Sequence, residues 1–307
     1  MTSKFKSMLG GAAVAAALIV PAAADTDWTN LPQKSFGGHS VKVEDVVGTL
    51  TVDVREGGPV TVDVSGSKEQ VQNVDVTSGE GKVVISSSGP DEKSVWDWRN
   101  WFNFSGESHN KPSGLVIKVM MPKGAALNVD DLVGDATIGD TMGPLRFEAT
   151  ATKARIGKVA SAKVSMDGTG RIDIAEVAGP LDLDISGSGK VSVGPTQKVS
   201  ADIAGAGDAT LGPIAGGLDL DIAGSGDVAA ASVNGPVHID IAGSGSVKIA
   251  SGEANPLHVD IMGSGNFTFG GEAVDPHIDA LGSGSVKLKS YRGKLSSEGM
   301  ANVKVGE

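Results

Sequence analysis

A glycine turn of the form Gly-x-Gly returns every 18 to 20 residues through the second half of this chain. The seven copies are Gly168-Thr-Gly170, Gly187-Ser-Gly189, Gly205-Ala-Gly207, Gly224-Ser-Gly226, Gly243-Ser-Gly245, Gly263-Ser-Gly265 and Gly282-Ser-Gly284. Weaker copies keep the register at Gly134–Ile138, Thr152–Ile156 and Ala301–Val305. A period of this length indicates a stack of equivalent units, because one such unit cannot bury its apolar face alone.

Each unit contains two short segments in which apolar and polar residues alternate. Pro180-Leu-Asp-Leu-Asp-Ile185 precedes a glycine turn, and Val247-Lys-Ile249 follows one. Alternation with a period of two is typical of a strand with one buried face. We therefore predict an all-β fold, a parallel β-helix of about 19-residue coils, right-handed like most parallel crossovers. An antiparallel meander with the glycine turns in its hairpins is the alternative; recurrence of one residue type at one register favours the helix.

The first 24 residues have the features of a secretory signal peptide. Lys4 and Lys6 give a positive start, residues 9–20 are apolar, and Ala22-Ala23-Ala24 supplies the small residues preferred at a cleavage site. An apolar run of this length is too short to span a bilayer. We predict export by the general secretory route to the periplasm, the outer surface or the medium, with no integral membrane segment in the mature chain.

The mature chain divides into a less regular β region over residues 25–127 and the regular coils over residues 128–307, which continue it. Gly48–Val54 and Pro59–Gly66 echo the strands of the later coils, which predicts earlier coils or a β cap. A Ser-, Gly- and Asn-rich stretch over about residues 86–113 carries an aromatic cluster. Its members are Trp96, Trp98, Trp101, Phe102 and Phe104. The cluster is either a cap over the open end of the rod or a contact loop for a ligand.

Two files of polar residues are aligned by the repeat. Five residues before the second glycine of the last six turns stand Asp184, Asp202, Asp221, Asp240, Asp260 and Asp279. Seven residues before it stand Asp182, Ser200, Asp219, His238, His258 and His277. In a β-helix both files face outward. One interpretation is a divalent-cation site, such as zinc, with ligands from His238, Asp240, His258, Asp260, His277 and Asp279. The other is a solvated polar face, since aspartates about 4.8 Å apart repel by only about 0.9 kcal/mol in water. We expect no other cofactor.

Composition and missing motifs restrict the function. The net charge is −11, and it becomes −13 once Lys4 and Lys6 leave with the signal peptide, which disfavours nucleic acid as a partner. The chain contains no Cys, and neither a Gly-x-Ser-x-Gly elbow nor a phosphate loop occurs in it. Short, regular coils also give little room for a catalytic cleft. We therefore predict that the protein is not an enzyme; a carbohydrate-active β-helix enzyme is the least favoured alternative.

The repeated segments Asp221-Ile-Ala-Gly-Ser-Gly-Asp-Val228 and Asp240-Ile-Ala-Gly-Ser-Gly-Ser-Val247, with the strand-then-proline segment Leu115–Pro122, resemble the head GIN domain family of auto-transporter adhesins. The resemblance covers about residues 36–300. It implies a β-helical envelope or secreted protein with an adhesive role and no catalytic residues. The expected function is therefore non-enzymatic binding of a glycan, an envelope component or a host or cell surface. A periplasmic cation-responsive scaffold is the alternative.

Overall fold

The computed structural model describes residues 28–87, 114–299 and 302–306. The predicted signal peptide and the five aromatic side chains of the predicted cap or contact loop lie outside these ranges. Within them, one short helix, α1 (Lys68–Gln72), accompanies strands that join in a single 23-stranded sheet. The strands are β1 (Trp28–Asn30), β2 (Lys34–Phe36), β3 (Ser40–Glu44), β4 (Val47–Arg55), β5 (Val60–Ser67), β6 (Val74–Gly79), β7 (Lys82–Ser87), β8 (Leu115–Pro122), β9 (Ala126–Ile138), β10 (Pro144–Val159), β11 (Ser161–Gly187), β12 (Lys190–Val193), β13 (Thr196–Gly205), β14 (Asp208–Ile214), β15 (Leu218–Gly224), β16 (Asp227–Gly243), β17 (Ser246–Ile249), β18 (Gly252–Gly263), β19 (Asn266–Val274), β20 (His277–Gly282), β21 (Ser285–Arg292), β22 (Ser296–Gly299) and β23 (Asn302–Val305).

The strands wind into a β-solenoid of about nine turns with coils of about 19 residues. From β9 onward every described pairing is parallel, and each strand pairs with its counterpart in the next coil, as β11 does with β13 and β13 with β15. The predicted parallel β-helix is therefore confirmed, and the antiparallel meander is wrong for the repeats. The parallel ladder follows from the fixed period, because equal coils bring equivalent residues into register. Right-handed winding stays a prediction.

The core is a narrow column of small and branched apolar side chains. Inward positions alternate with outward ones along each strand, so that in β15 Leu218, Leu220 and Ile222 are buried while the residues between them are exposed. Phe147, Phe267 and Phe269 are the bulkiest of the fully buried side chains, in a core otherwise built from Val, Ile, Leu, Met and Ala. This thin core explains how the chain folds with only 4% aromatic residues.

The glycine turns stack directly on one another along the rod. Gly243 has a φ of +136°, and a Cβ added there would lie 2.1 Å from the carbonyl oxygen of Gly224 in the preceding coil. The same oxygen accepts a hydrogen bond of 2.8 Å from the backbone N–H of Ser244. At Gly245 a Cβ would lie 2.6 Å from the carbonyl oxygen of Gly226. Both glycines of the turn are therefore required by backbone conformation and close approach.

The N-terminal part of the chain departs from a simple winding order. The coil of β3 and β4 lies between β9 on one side and β7 and β8 on the other, and these pairings are parallel. All antiparallel pairs among the described residues involve β5 or β6. Gly48–Val54 thus belongs to a coil strand, whereas most of Pro59–Gly66 forms the antiparallel β5. Strands β5 and β6 cover the outer edges of β8 and β7, which protects the end of the sheet.

Candidate ligand-binding face

The structure brings the two predicted polar files together on the outer surface before the glycine turns. Asp240 is in register with Asp260, and His238 with His258. The same registers continue to Asp279 and His277 in the next coil. The residues between them along each strand, such as Ile239, are buried in the core. All six predicted cation ligands therefore lie side by side on one face of three successive coils.

The histidines form a stacked file beside the aspartates. The ring centroids of His238 and His258 are 5.6 Å apart, and those of His258 and His277 are 4.5 Å apart. Nε2 of His238 lies 3.4 Å from Oδ2 of Asp240, and Nε2 of His277 lies 3.4 Å from Oδ2 of Asp279. These pairs carry opposite charges only when the imidazole is protonated. One oxygen of Asp240 and one of Asp279 therefore lie next to the histidine file.

The other carboxylate oxygen has a different environment. Oδ1 of Asp240, Asp260 and Asp279 is shielded from solvent and accepts no hydrogen bond from the described residues. Shielded polar atoms without partners are uncommon in proteins, because desolvating them costs free energy that a hydrogen bond normally offsets. Three equivalent oxygens in a row are therefore both shielded and without a donor, and a change of side-chain rotamer would be needed to expose them to a ligand.

The described residues do not form a ready-made metal centre. No group of three or more His, Cys, Asp or Glu side chains among them is close enough to hold one metal ion. The physical reason is the coil spacing of about 4.8 Å. Two donor atoms on one zinc ion each lie about 2.0–2.3 Å from it, so they are at most about 4.6 Å apart. Cation binding by the predicted residues would need these side chains to change rotamer, and it stays a prediction.

Burial raises the pKa of three aspartates of the file, and neighbouring carboxylates raise it further. The pKa of Asp202 is raised by burial and then by the charge of Asp221. The pKa of Asp221 is raised by burial and then by Asp240, and that of Asp184 by burial and then by Asp167. At neutral pH the ionised carboxylates of the aspartate file therefore repel neighbouring carboxylates.

Replacing Asp202 with asparagine is expected to stabilise the folded protein at neutral pH. The folded pKa lies above the unfolded value of about 3.9, so the folded state binds more protons between the two values. The free energy of unfolding therefore falls as pH rises through this window. The destabilisation caused by ionised Asp202 is complete above the folded pKa and absent below the unfolded pKa. We expect a gain of about 0.5–1 kcal/mol near pH 7, after solvent screening, and none near pH 3.

Thermal melts of the variant and the parent protein at both pH values measure this difference. Asp75→Asn is the matched control, because Asp75 is exposed on β6 and outside the file. A loss of stability on neutralising Asp202 at neutral pH would contradict the repulsion that we describe.

A third file lies on the same face and was not among the predicted site residues. It stands three residues before the second glycine of the last five turns and consists of Ala204, Ala223, Ala242, Met262 and Leu281. Met262 is 67% exposed and Leu281 63% exposed, more than any other large apolar side chain in the described residues. The signal is present in the sequence, because the glycine register aligns these positions as clearly as the aspartates.

The apolar file and the aspartate file enclose a groove that runs along the rod. Its volume is about 450 Å³, and four coils line it. We call this surface the ladder face. It comprises His238, His258 and His277, Asp221, Asp240, Asp260 and Asp279, and Ala223, Ala242, Met262 and Leu281.

The fold and the ladder face define a β-solenoid repeat protein with a grooved outer surface. No protein-family model matches the sequence, and no curated protein matches it. Within the described ranges, no helix has the length and apolar character needed to cross a membrane.

Several solved structures match this chain over most of its length. A "putative adhesin" of Parabacteroides distasonis is 16% identical, and the match covers 92% of this chain and 98% of that one at a TM-score of 0.45. A "putative lipid binding protein" of the same species is 14% identical over 92% and 97% of the two chains, with a TM-score of 0.39. A "putative cell adhesion protein" of Clostridium sporogenes is 10% identical over 91% and 99%, with a TM-score of 0.22. At these identities and TM-scores the likenesses carry no conclusion about function.

Proposed function

We propose that this chain is an exported, non-enzymatic binding protein of the cell envelope or the surrounding medium, and that the ladder face is its contact surface. The observation that carries the proposal is the position of Met262 and Leu281. Two large apolar side chains are left in solvent, next to carboxylate oxygens that lack a hydrogen-bond donor.

A purely structural outer face does not need this arrangement. On a β-solenoid the outward positions make no contribution to the core, and polar residues there avoid association with other molecules. Exposed apolar side chains grouped beside a polar rim are typical of interaction sites. The groove between the files also has a volume in the range of ligand sites, which is about 300–1,000 Å³. These features favour binding over a passive surface.

The finer assignments are part of the same proposal. The repeated Asp-Ile-Ala-Gly-Ser-Gly segments support an adhesin-like role and membership of the head GIN domain family, and the first 24 residues support export. The cation-responsive scaffold is the second proposal, and the histidines and aspartates that lie in register on three successive coils favour it.

Replacing Met262 and Leu281 together with serine is expected to weaken binding about tenfold without unfolding the protein. Both side chains are mostly exposed, so their removal takes apolar contact area from a ligand and little from the core. The measurement is binding of the labelled protein to an array of glycans, envelope-derived peptides and aliphatic amines, with reducing-sugar release recorded in parallel.

Met120→Ser is the matched control, because Met120 is an exposed methionine on β8, away from the ladder face. Binding to the array that is equal in the double variant and the parent protein would refute the ladder face as the contact surface. Release of reducing sugars by the parent protein would refute a non-enzymatic role.

A further inference from the structure

The groove of the ladder face has two chemically different walls. Asp221, Asp240, Asp260 and Asp279 form one wall, and Ala223, Ala242, Met262 and Leu281 form the other. Among the described residues that line it there is no lysine or arginine. A ligand that fits must therefore be cationic along one edge and apolar along the other.

The acceptors are spaced regularly along the groove. Consecutive aspartates belong to paired parallel strands, so their mean separation along the rod is the strand spacing of about 4.8 Å. The side chains of Asp240 and Asp279 are each 43% exposed, so their carboxylates can pair with a cationic group that lies in the groove. A row of ammonium groups with the same spacing would place one positive charge beside each carboxylate of the groove.

A saturated chain with amino groups three carbons apart has this spacing. Bonds of about 1.5 Å at tetrahedral angles each advance an extended chain by about 1.25 Å, so the two nitrogens lie about 5 Å apart. Each ammonium group has several N–H donors and a positive charge, and the methylene groups between them are apolar. A longer spacer of six carbons places the nitrogens about 9 Å apart, close to twice the coil spacing.

We propose that the groove binds a linear aliphatic polyamine with three-carbon spacers, whose ammonium groups lie along the aspartates and whose methylene groups lie along Met262, Leu281 and the alanines. This inference rests on the proposed function and names the ligand class of the same surface. The raised pKa of Asp221 supports it, because the charge of Asp240 is, after burial, the next cause of the rise, and a cation beside the two carboxylates relieves that repulsion.

Other cationic ligands fit the groove less well. Lysine side chains on one face of an extended peptide are about 6.6–6.8 Å apart, which is two residues along a strand, and their backbone would bring polar groups against Met262 and Leu281. A metal ion alone would contact the carboxylates and leave the apolar wall exposed. The apolar wall and the spacing together therefore favour the polyamine.

Isothermal titration of the purified protein with bis(3-aminopropyl)amine at low salt tests the proposal. The comparison ligand is the triamine with six-carbon spacers, which has the same three amino groups and more apolar surface. We expect binding of the three-carbon triamine to be at least tenfold tighter. We also expect Asp240→Asn with Asp260→Asn to weaken it at least tenfold, and Met262→Ser with Leu281→Ser to weaken it several-fold.

Asp53→Asn with Asp75→Asn is the control, because it removes the same charge from exposed positions outside the ladder face. Three results would overturn the proposal: no triamine binding, with or without binding of a lysine-rich peptide; equal or tighter binding of the six-carbon triamine; or equal losses in the two aspartate double variants. The array experiment is independent of these titrations. If the triamine fails to bind but replacing Met262 and Leu281 still weakens array binding, the proposed ligand is wrong and the proposed contact surface stands.

Discussion

Replacing Gly243 with alanine is expected to lower the free energy of unfolding by about 3 kcal/mol or more. Gly243 has a φ of +136°, which L-residues with a side chain rarely adopt, and its new Cβ would lie 2.1 Å from the carbonyl oxygen of Gly224. The atom in the way belongs to the backbone, so no side-chain rotation relieves the clash. The coil itself must shift, and with it the hydrogen bond from Ser244 to the same oxygen.

Thermal and urea unfolding followed by circular dichroism measure this effect, which corresponds to a fall in melting temperature of about 6–12 °C. Gly57→Ala is the matched control, because a Cβ at Gly57 meets nothing within 4 Å. We expect that variant to melt within about 1–2 °C of the parent protein. If Gly243→Ala were as stable as Gly57→Ala, the stacked glycine turns would not be needed for the rod.

Replacing Phe269 with alanine is expected to cost about 3–5 kcal/mol, the usual range for a buried phenylalanine. Phe269 is 1% exposed and lies in register with Ile249 and Leu288 in the two neighbouring coils. The core is the narrow space inside a single winding of the chain. Few neighbouring side chains can therefore move into the cavity. Loss of this side chain therefore weakens two coil interfaces at once.

Urea unfolding gives the size of the effect, and amide hydrogen exchange shows where it acts. We expect faster exchange in β17, β19 and β21, because coil interfaces in a solenoid contribute to stability locally. Thr268→Ala is the control on the same strand, since Thr268 points outward beside Phe269, and it should change stability by less than about 1 kcal/mol. If Phe269→Ala lowered the free energy of unfolding by less than about 1 kcal/mol, the narrow core that we describe would be contradicted.

These two effects have different physical origins. Gly243→Ala destabilises the protein through backbone strain and steric overlap, whereas Phe269→Ala destabilises it through the loss of buried apolar surface. Both weaken contacts between coils rather than within one coil, because a coil of about 19 residues cannot fold alone. Unfolding of this protein is therefore expected to involve groups of adjacent coils, and a single melting temperature describes it only approximately.

The ladder face is predictable from the sequence only in part. The glycine register alone predicts that Asp240 lies beside Asp260 and His238 beside His258, and the strand pairing confirms these neighbours. The same register aligns Met262 with Leu281, although the predicted site contained polar ligands only and left this apolar file out. The shielding of the Oδ1 atoms depends on side-chain rotamers and packing, which periodicity does not encode.

The sequence by itself determined the period, the alternation and the glycine positions, and through them the solenoid and the register of its outward files. Those features are local, since each coil repeats the same pattern and stacking follows from equal length. Only the tertiary structure decided the order of the first coils, in which β3 and β4 lie between β9 and the pair β7 and β8. Only it decided that the ladder face has a groove of about 450 Å³. Both depend on contacts between residues far apart in the chain, and a local pattern does not specify which distant strand will pair or how deep the space between two files will be.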